Sequence, residues 1–183
     1  MLRILRRAIV LAGVVALTLL GVRAYDAQRG EPLEPWHTFV PDELDADEID
    51  RTTWNGYLEA ENGVFEEVRV EVTEKLDPSE RLAYNRYFDG SPVYPGHFAT
   101  DWNHSYILEP DKAPAGVAVF LHGLTDAPYS MRNIARRYQQ QGFVCVVIRL
   151  PGHGTVPGAL TSANYPDWLA AARLAMREAR RRA

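Results

Sequence analysis

Two short segments of this 183-residue chain combine histidine with glycine in a way that could support chemistry, His122-Gly123-Leu124 and Gly152-His153-Gly154. Histidine changes charge near neutral pH and hydrogen-bonds through both ring nitrogens, and glycine allows turns that bring the backbone close to a ligand. Asp126 follows the first segment closely. One alternative is therefore a complete small enzyme in which His122 or His153 works with Asp126, although no nucleophile is visible for it.

Two apolar runs must position these segments, GVAVFL at residues 116–121 and FVCVVIRL at residues 143–150. Continuous runs of this kind are typical of strands that are covered on both faces of a parallel sheet. Apolar residues at spacings of three and four predict a helix over residues 130–140, ended by Gly142, and a second helix begins at Tyr165. This order predicts a right-handed βαβ crossover with functional loops at the carboxyl ends of its strands.

The string VAVFLHGLTDAPYSM, followed by GFVCVVIRLPGHG and a helix that opens with DW, resembles the first half of an α/β-hydrolase. The resemblance is to the lysophospholipase and serine-aminopeptidase type, over roughly residues 100–183. It implies an α/β fold class, an incomplete α/β-hydrolase three-layer sandwich with a mostly parallel sheet. It also implies that the Leu124 backbone amide forms half of an oxyanion hole, where a fixed amide dipole lowers the barrier to acyl transfer by about 3 kcal/mol.

Other residues of the two segments receive supporting roles from the same resemblance. Gly123 lets the chain turn away from the strand, and His122 orients the oxyanion loop instead of acting as the base. His153, with Gly152 and Gly154 beside it, fixes the second segment by hydrogen bonds. Asp126 and Tyr129 line the entrance. The parent enzyme would cleave small-molecule esters or amides through an acyl-serine intermediate, with no metal and no cofactor.

The family's nucleophile is the serine of a G-x-S-x-G turn, and no glycine pair in this chain flanks a serine in that pattern. Cys145 lies inside an apolar strand, so we interpret it as a core residue and not as a substitute nucleophile. The sequence therefore predicts an N-terminal fragment of a serine hydrolase that is inactive by itself. The alternative is a membrane-tethered, non-enzymatic interaction module that binds a partner through its acidic region or through an unpaired edge at residues 117–121.

The amino terminus is directed to a membrane. A basic stretch precedes 15 apolar residues, AIVLAGVVALTLLGV at 8–22, which as a helix span about 22 Å against a hydrocarbon core of roughly 30 Å. A signal peptide cleaved after Ala24 fits this length, and an uncleaved signal anchor remains open. In either case the basic flank stays in the cytoplasm. The remaining chain would be exported, in a bacterium to the periplasmic or extracellular side of the inner membrane.

The region between the membrane segment and the hydrolase-like segment has weaker patterns. DELDADEID at residues 42–50 predicts a solvated linker or a surface helix, and it lacks the glycine of a calcium-binding loop. Alternation in VFEEVRVEV predicts a strand over residues 64–72, the DPSE motif predicts a helix from Asp77 to about Asp89, and residues 105–108 predict another strand.

A possible metal-binding group lies in the same region, formed by His97, Asp101 and His104. Their spacing matches neither one helical face nor a known zinc pattern, which favours hydrogen-bonding loop residues over metal ligands. We divide the chain into a signal peptide or anchor (1–24), an acidic linker or irregular region (25–62) and the N-terminal half of a hydrolase domain (63–183).

Charge excludes one class of function. The net charge of -4 hides blocks of +4 (residues 1–24), -14 (25–112) and +6 (113–183). A net acidic chain whose basic residues are spread along helices does not present the basic face expected of a nucleic-acid-binding protein. The single cysteine excludes an internal disulfide framework.

Overall fold

A computed structural model describes residues 2–30 and 32–183, and the chain divides into two compact units, Met1–Leu33 and Glu34–Ala183. The first unit is dominated by helix α1 (Leu2–Gln28), whose 27 residues span about 40 Å. Within Arg3–Gln28, a window of 18 residues has a mean hydropathy of 2.0 and no burial within the protein. The helix is therefore long and apolar enough to cross a membrane, a property that signal sequences share.

The second unit is built around three strands, β1 (Tyr106–Leu108), β2 (Gly116–Leu121) and β3 (Phe143–Ile148). Their order in the sheet is β1-β3-β2, with β2 parallel and β1 antiparallel to β3. The predicted strands at 105–108, 116–121 and 143–150 are thus confirmed to within two residues. The structure is a mixed α/β arrangement consistent with an incomplete α/β fold.

Helices cover both faces of this sheet. Cys145 and Val147 of β3 pack on the side of helix α5 (Pro128–Gln140), and Val146 and Ile148 pack on the side of helix α6 (Tyr165–Arg182). Alternate residues of β3 thus face opposite helical layers, which is why an unbroken apolar run was needed. The parallel β2–α5–β3 unit was predicted, and Gly142 follows α5 with φ of +91°, a conformation that suits glycine.

Three further helices precede the sheet: α2 (Pro35–Thr38), α3 (Ala46–Arg51) and α4 (Trp54–Val68). Helix α3 is the surface-helix alternative for the acidic stretch. Asp45 accepts a hydrogen bond from the Glu48 amide at 2.9 Å and caps its amino end. Ile49 of α3 is fully buried in the cluster that also contains α6 residues, so this acidic segment contributes to the core.

The predicted strand over residues 64–72 is wrong, because these residues continue helix α4 into a π-helical turn, Arg69–Thr73. Val64, Val68 and Val72 are all buried, and a spacing of four places them on one helical face. The alternate positions of VFEEVRVEV include these same three valines, so the pattern was equally compatible with a strand. Packing of the valine face against the rest of the unit decided between the two.

The predicted helix from Asp77 is also wrong, since only a 3-10 turn, Pro78–Glu80, forms there. The Asp77 carboxylate accepts the Ser79 amide at 2.9 Å, as expected of a cap. The Asn85 side chain then donates to the Glu80 carbonyl and accepts the Tyr87 amide, each at 2.9 Å. Such side-chain hydrogen bonds to the backbone replace the helical ladder and turn the chain.

Candidate functional site

The two glycine–histidine segments lie side by side because β2 and β3 are adjacent and parallel, so their carboxyl ends meet at one edge of the sheet. We call residues 122–127 the first loop and residues 149–156 the second loop. His122 and His153 are 5% and 3% exposed, and their ring centroids are 5.0 Å apart. The structure thus brings together the two histidines that the sequence singled out.

His122 connects the two loops. Its Nδ1 lies 3.0 Å from the Gly123 carbonyl oxygen, and its Nε2 accepts the Leu150 amide at 3.0 Å. Because a carbonyl oxygen only accepts, Nδ1 carries the proton and the ring is neutral. Burial lowers the pKa of His122, which keeps it neutral at physiological pH. Both nitrogens are engaged in the positioning of backbone, which leaves neither free to act as a base.

The backbone conformation of the first loop differs from the prediction for Gly123. Gly123 does not have a positive φ, and a side chain added there would meet nothing within 4 Å. The left-handed residue is instead Thr125, with φ of +60°, an uncommon conformation for a β-branched side chain. The turn that Gly123 was expected to allow is therefore made two residues later.

Leu124 is the most exposed apolar residue of this loop, at 68% exposed. Within the described residues its amide donates no hydrogen bond, whereas the Gly123 carbonyl accepts the Asp126 amide at 3.2 Å in addition to contacting His122. The loop thus presents an available N–H group beside a carbonyl that is held in place. An N–H group of this kind can stabilise negative charge on an oxygen atom.

The second loop requires both of its glycines. Gly152 and Gly154 have φ of +79° and +78°. A Cβ at Gly152 would lie 2.7 Å from the Ala163 side chain and 3.0 Å from the Ala159 carbonyl oxygen. Any other residue at Gly152 would be strained and would also collide with its neighbours.

His153 holds the second loop partly through Pro151, whose carbonyl oxygen lies 3.0 Å from its Nδ1 and accepts the Trp168 indole N–H at 3.0 Å. His153 Nε2 and Thr155 Oγ1 are buried and have no hydrogen-bond partner within the described residues. Thr155 and His153 both line a cavity of about 350 Å³ that Asp126 and Tyr129 also line. Asp126 and Tyr129 thus lie beside this cavity, and their place at an entrance stays a prediction.

Asp126 is occupied locally. Its carboxylate accepts the Ser130 hydroxyl at 2.6 Å and the Ala127 amide at 2.8 Å, and the Ser130 hydrogen bond is the main reason that its pKa is lowered. Among the described residues Asp126 makes no hydrogen bond to His122 or His153. This geometry gives no support to a small enzyme that pairs a histidine with Asp126.

A buried arginine that the sequence analysis did not single out supports the second loop. Arg149 is 1% exposed, and it donates to both carboxylate oxygens of Glu43 at 2.7 and 2.8 Å. It also donates to Glu61 at 2.9 Å and to the His153 carbonyl at 3.0 Å, and Glu43 accepts the Gly152 amide at 2.9 Å. Burial alone would lower the pKa of Arg149, but the carboxylates of Glu43 and Glu61 raise it above its usual value.

The arginine network extends to the strands and to α4. Ser105 donates to Glu61 at 2.9 Å and accepts the Arg149 amide at 2.8 Å, and the Tyr57 hydroxyl donates to the Arg149 carbonyl at 2.7 Å. A sequence signal for this network existed: Arg149 is the charged residue in the otherwise apolar run at residues 143–150, and a buried charge requires partners. The partners lie 88 and 106 residues away along the chain, so their identity was not predictable from local pattern.

The other candidate residues have structural contacts. His104 stacks on Phe65 with centroids 3.7 Å apart and lies 3.8 Å from Glu61, and His97 ends a 3-10 turn, Pro95–His97. No group of three metal-ligating side chains occurs among the described residues. Cys145 is fully buried, its thiol donates toward the Ala135 carbonyl at 3.2 Å, and burial raises its pKa, which suits a core residue.

Comparison with known proteins gives one partial match. No family model matches the chain. A 60-residue segment is 37% identical to a thermostable monoacylglycerol lipase from Bacillus sp. (strain H-257). The aligned part covers 33% of this chain and 24% of the lipase, so the chain spans about a quarter of the length of the relative that it matches. This partial similarity suggests a relationship to the α/β-hydrolases.

Proposed function

We propose that the unit Glu34–Ala183 is the oxyanion-hole part of an α/β-fold serine hydrolase that cleaves carboxylic esters. The observation that carries this proposal is the exposed first loop, in which the Leu124 N–H has no partner among the described residues and His122 fixes the adjacent carbonyl. The lysophospholipase-type motif and the partial similarity to a monoacylglycerol lipase support it, and the lipase's name favours an ester over an amide.

In the proposed reaction the Leu124 amide donates to the carbonyl oxygen of the ester as that oxygen becomes negative. A nucleophile attacks the carbonyl carbon, and the tetrahedral intermediate carries its charge on the oxygen that the amide contacts. His122 and the arginine network do not take part in this step. They hold the backbone of the two loops in place for it. The reaction requires no metal or cofactor.

The nucleophile is not among the serines of residues 1–183, which is why we propose that this chain alone does not turn over substrate. The serine hydroxyls donate to carboxylates or to backbone carbonyls, and none of these hydrogen bonds involves a histidine. The five serines and their acceptors are Ser79 to Asp77, Ser91 to Ala83, Ser105 to Glu61, Ser130 to Asp126 and Ser162 to Ala159.

We place the strand that carries the nucleophile beside β2. Strand β2 is at one edge of the described sheet, and in the family's strand order the nucleophile strand pairs with this edge. An unpaired apolar edge favours aggregation or pairing with another chain. Purification of residues 25–183 as a stable, dispersed monomer would count against this part of the proposal.

Two measurements test the proposal. Incubation of the purified chain with a fluorophosphonate probe should label no serine, and labelling of any serine would show that the nucleophile is present. The coding DNA beyond Ala183 should then be read in all frames for a strand followed by G-x-S-x-G.

If such a segment exists, the longer protein should hydrolyse esters and Leu124→Pro, which removes the amide hydrogen, should lower kcat by about 100-fold to 1000-fold. Leu124→Ala, which keeps that hydrogen, is the matched control and should retain most activity. Equal losses in the two variants would refute a role for the amide.

A second function is favoured by the same open edge of β2: a non-enzymatic interaction module tethered to a membrane by α1. Under this alternative the edge binds a strand of another protein, and no longer reading frame with a catalytic serine exists. The acidic stretch is less suited to such binding, because Glu43 and Asp50 already pair with Arg149 and Arg173. For either function we place the first unit in or across a membrane, with the remaining chain exported.

A further inference from the structure

A second cavity, of about 700 Å³, lies beside helix α5 and is lined by both cationic and aromatic side chains. Three of its lining residues are arginines: Arg86, Arg132 and Arg136. Within the described residues none of the three forms an ion pair with a carboxylate. Arg149 and Arg173, elsewhere in the same unit, pair with acids.

Aromatic rings hold two of these guanidinium groups. Arg132 lies 3.6 Å from the centroid of the Tyr129 ring and donates to the Tyr129 carbonyl at 2.7 Å. Arg136, one turn later on the same helix, lies 4.8 Å from the Trp102 ring centroid. Stacking of this kind orients a guanidinium without neutralising it, so its positive charge remains available to a ligand.

The remaining charge of the cavity wall does not cancel these cations. Asp101 is the acidic residue among the described lining residues, and its carboxylate accepts both the backbone amide and the side-chain amide of Asn103, at 2.9 and 2.6 Å. The apolar part of the wall includes Val93 and Phe98, which are 46% and 59% exposed. The cavity therefore combines an excess of positive charge with an apolar surface that lacks a covering side chain.

We propose that this cavity binds an anionic amphiphile, a carboxylate or phosphate monoester joined to an apolar body, with its head group at Arg132 and Arg136. Hydrogen bonds from a guanidinium group to a carboxylate or phosphate are stronger than those between neutral groups. The apolar body would cover Phe98 and Trp102. The cavity shares Arg86, Asn103 and Tyr129 with the smaller cavity at the two loops. The inference does not depend on the proposed hydrolase function, because it requires binding and no catalysis.

The test uses the full chain labelled with 5-fluorotryptophan in a non-ionic detergent, with the Trp102 signal assigned through Trp102→Phe. Octanoate and octyl phosphate are titrated while the fluorine spectrum is recorded, with 1-octanol and inorganic phosphate as partial ligands. We expect at least one anionic amphiphile to shift the Trp102 signal. Both partial ligands should bind with an affinity at least about tenfold lower.

Variants separate this site from binding elsewhere. Arg132→Gln combined with Arg136→Gln should weaken the anionic amphiphile about tenfold and leave 1-octanol unchanged. Arg137→Gln, on the same helix but outside the cavity wall, is the matched control and should bind as the unmodified chain does. The other tryptophan signals report whether each variant is folded.

Several results would overturn the proposal. They are equal binding of octanoate and 1-octanol, equal binding of inorganic phosphate, an equal loss in Arg137→Gln, and no Trp102 shift with either amphiphile at about 10 mM. Because octanoate and 1-octanol are compared on the unmodified chain, the proposal stays falsifiable even if the double variant does not fold. A shift with only octanoate, or with only octyl phosphate, would support the site and identify its head group.

Discussion

The loops that follow β2 and β3 are adjacent and each contains a histidine, yet they are stabilised in different ways. The second loop is buried, and its two glycine positions do not suit any other residue. Arg149, paired with the carboxylates of Glu43 and Glu61, fixes it. The first loop is exposed at Leu124, and a single imidazole, His122, connects it to the second. The difference is that the second loop is a fixed support, whereas the first loop leaves the Leu124 N–H without a partner among the described residues.

The sharpest way to break this comparison is Arg149→Met. It leaves the buried carboxylates of Glu43 and Glu61 without their cation, so we expect a loss of about 3 to 5 kcal/mol in the free energy of unfolding. Urea denaturation of the full chain in detergent measures this. Arg173→Met removes an arginine from an exposed pair with Asp50 and should leave the denaturation midpoint nearly unchanged. Similar midpoints for the two variants would show that the network does not stabilise the loop.

His122→Ala is expected to have a smaller effect. It removes one acceptor and one donor, leaving the Leu150 amide and part of the Gly123 carbonyl unpaired, at a cost of about 1 to 3 kcal/mol. Hydrogen exchange should become faster at Leu150 and stay slow at Val146 in the middle of β3. His97→Ala, in an exposed turn, is the control. Unchanged exchange at Leu150 would contradict the role given to His122.

The free energy of unfolding should also depend on pH through His122, with a smaller effect than that of His122→Ala. Burial lowers the pKa of His122 below its ordinary value of 6.5, so below that pH the unfolded chain binds a proton that the folded chain does not. Stability is therefore full above 6.5 and falls toward the folded pKa, by at most about 1.4 kcal/mol per pH unit from this group. His122→Gln should reduce this slope in denaturation curves between pH 7.5 and 5.5, and an unaltered slope would assign it to other groups.

The smallest effect is expected at Cys145, in the strand between the two regions. Its thiol is fully buried and its pKa is raised by burial, so iodoacetamide should leave it unmodified in the folded chain and modify it in urea. Mass spectrometry gives the extent of modification. Rapid reaction of the folded chain would indicate that β3 is less protected than its burial implies.

The segment after residue 113 was predictable because its apolar runs admit one interpretation. The runs at β2 and β3 are too short and too β-branched for helices, and Gly142 separates α5 from β3. Residues 64–72 were not predictable, since Val64, Val68 and Val72 satisfy a helical period as well as alternate positions. In that case the choice depended on which partner the valines pack against.

The candidate site was predictable in part. The sequence placed His122, Leu124 and His153 at strand ends, and the parallel pairing of β2 and β3 brings those ends together. Gly123 was assigned a turn that Thr125 makes, because local sequence does not show where the strain of a loop falls. Leu124 as an oxyanion donor stays a prediction until the amide is tested.

The sequence by itself determined the long apolar helix at the amino terminus, the β2–α5–β3 unit and the identity of the two loops, since each depends on apolar period or on glycine within a few residues. Tertiary structure alone decided the arginine network and the cationic cavity. Arg149 meets carboxylates from 88 and 106 residues away, and Arg136 lies 4.8 Å from the ring centroid of Trp102, which comes from another part of the chain. Contacts at such distances follow from the packing of the elements and not from any pattern within them.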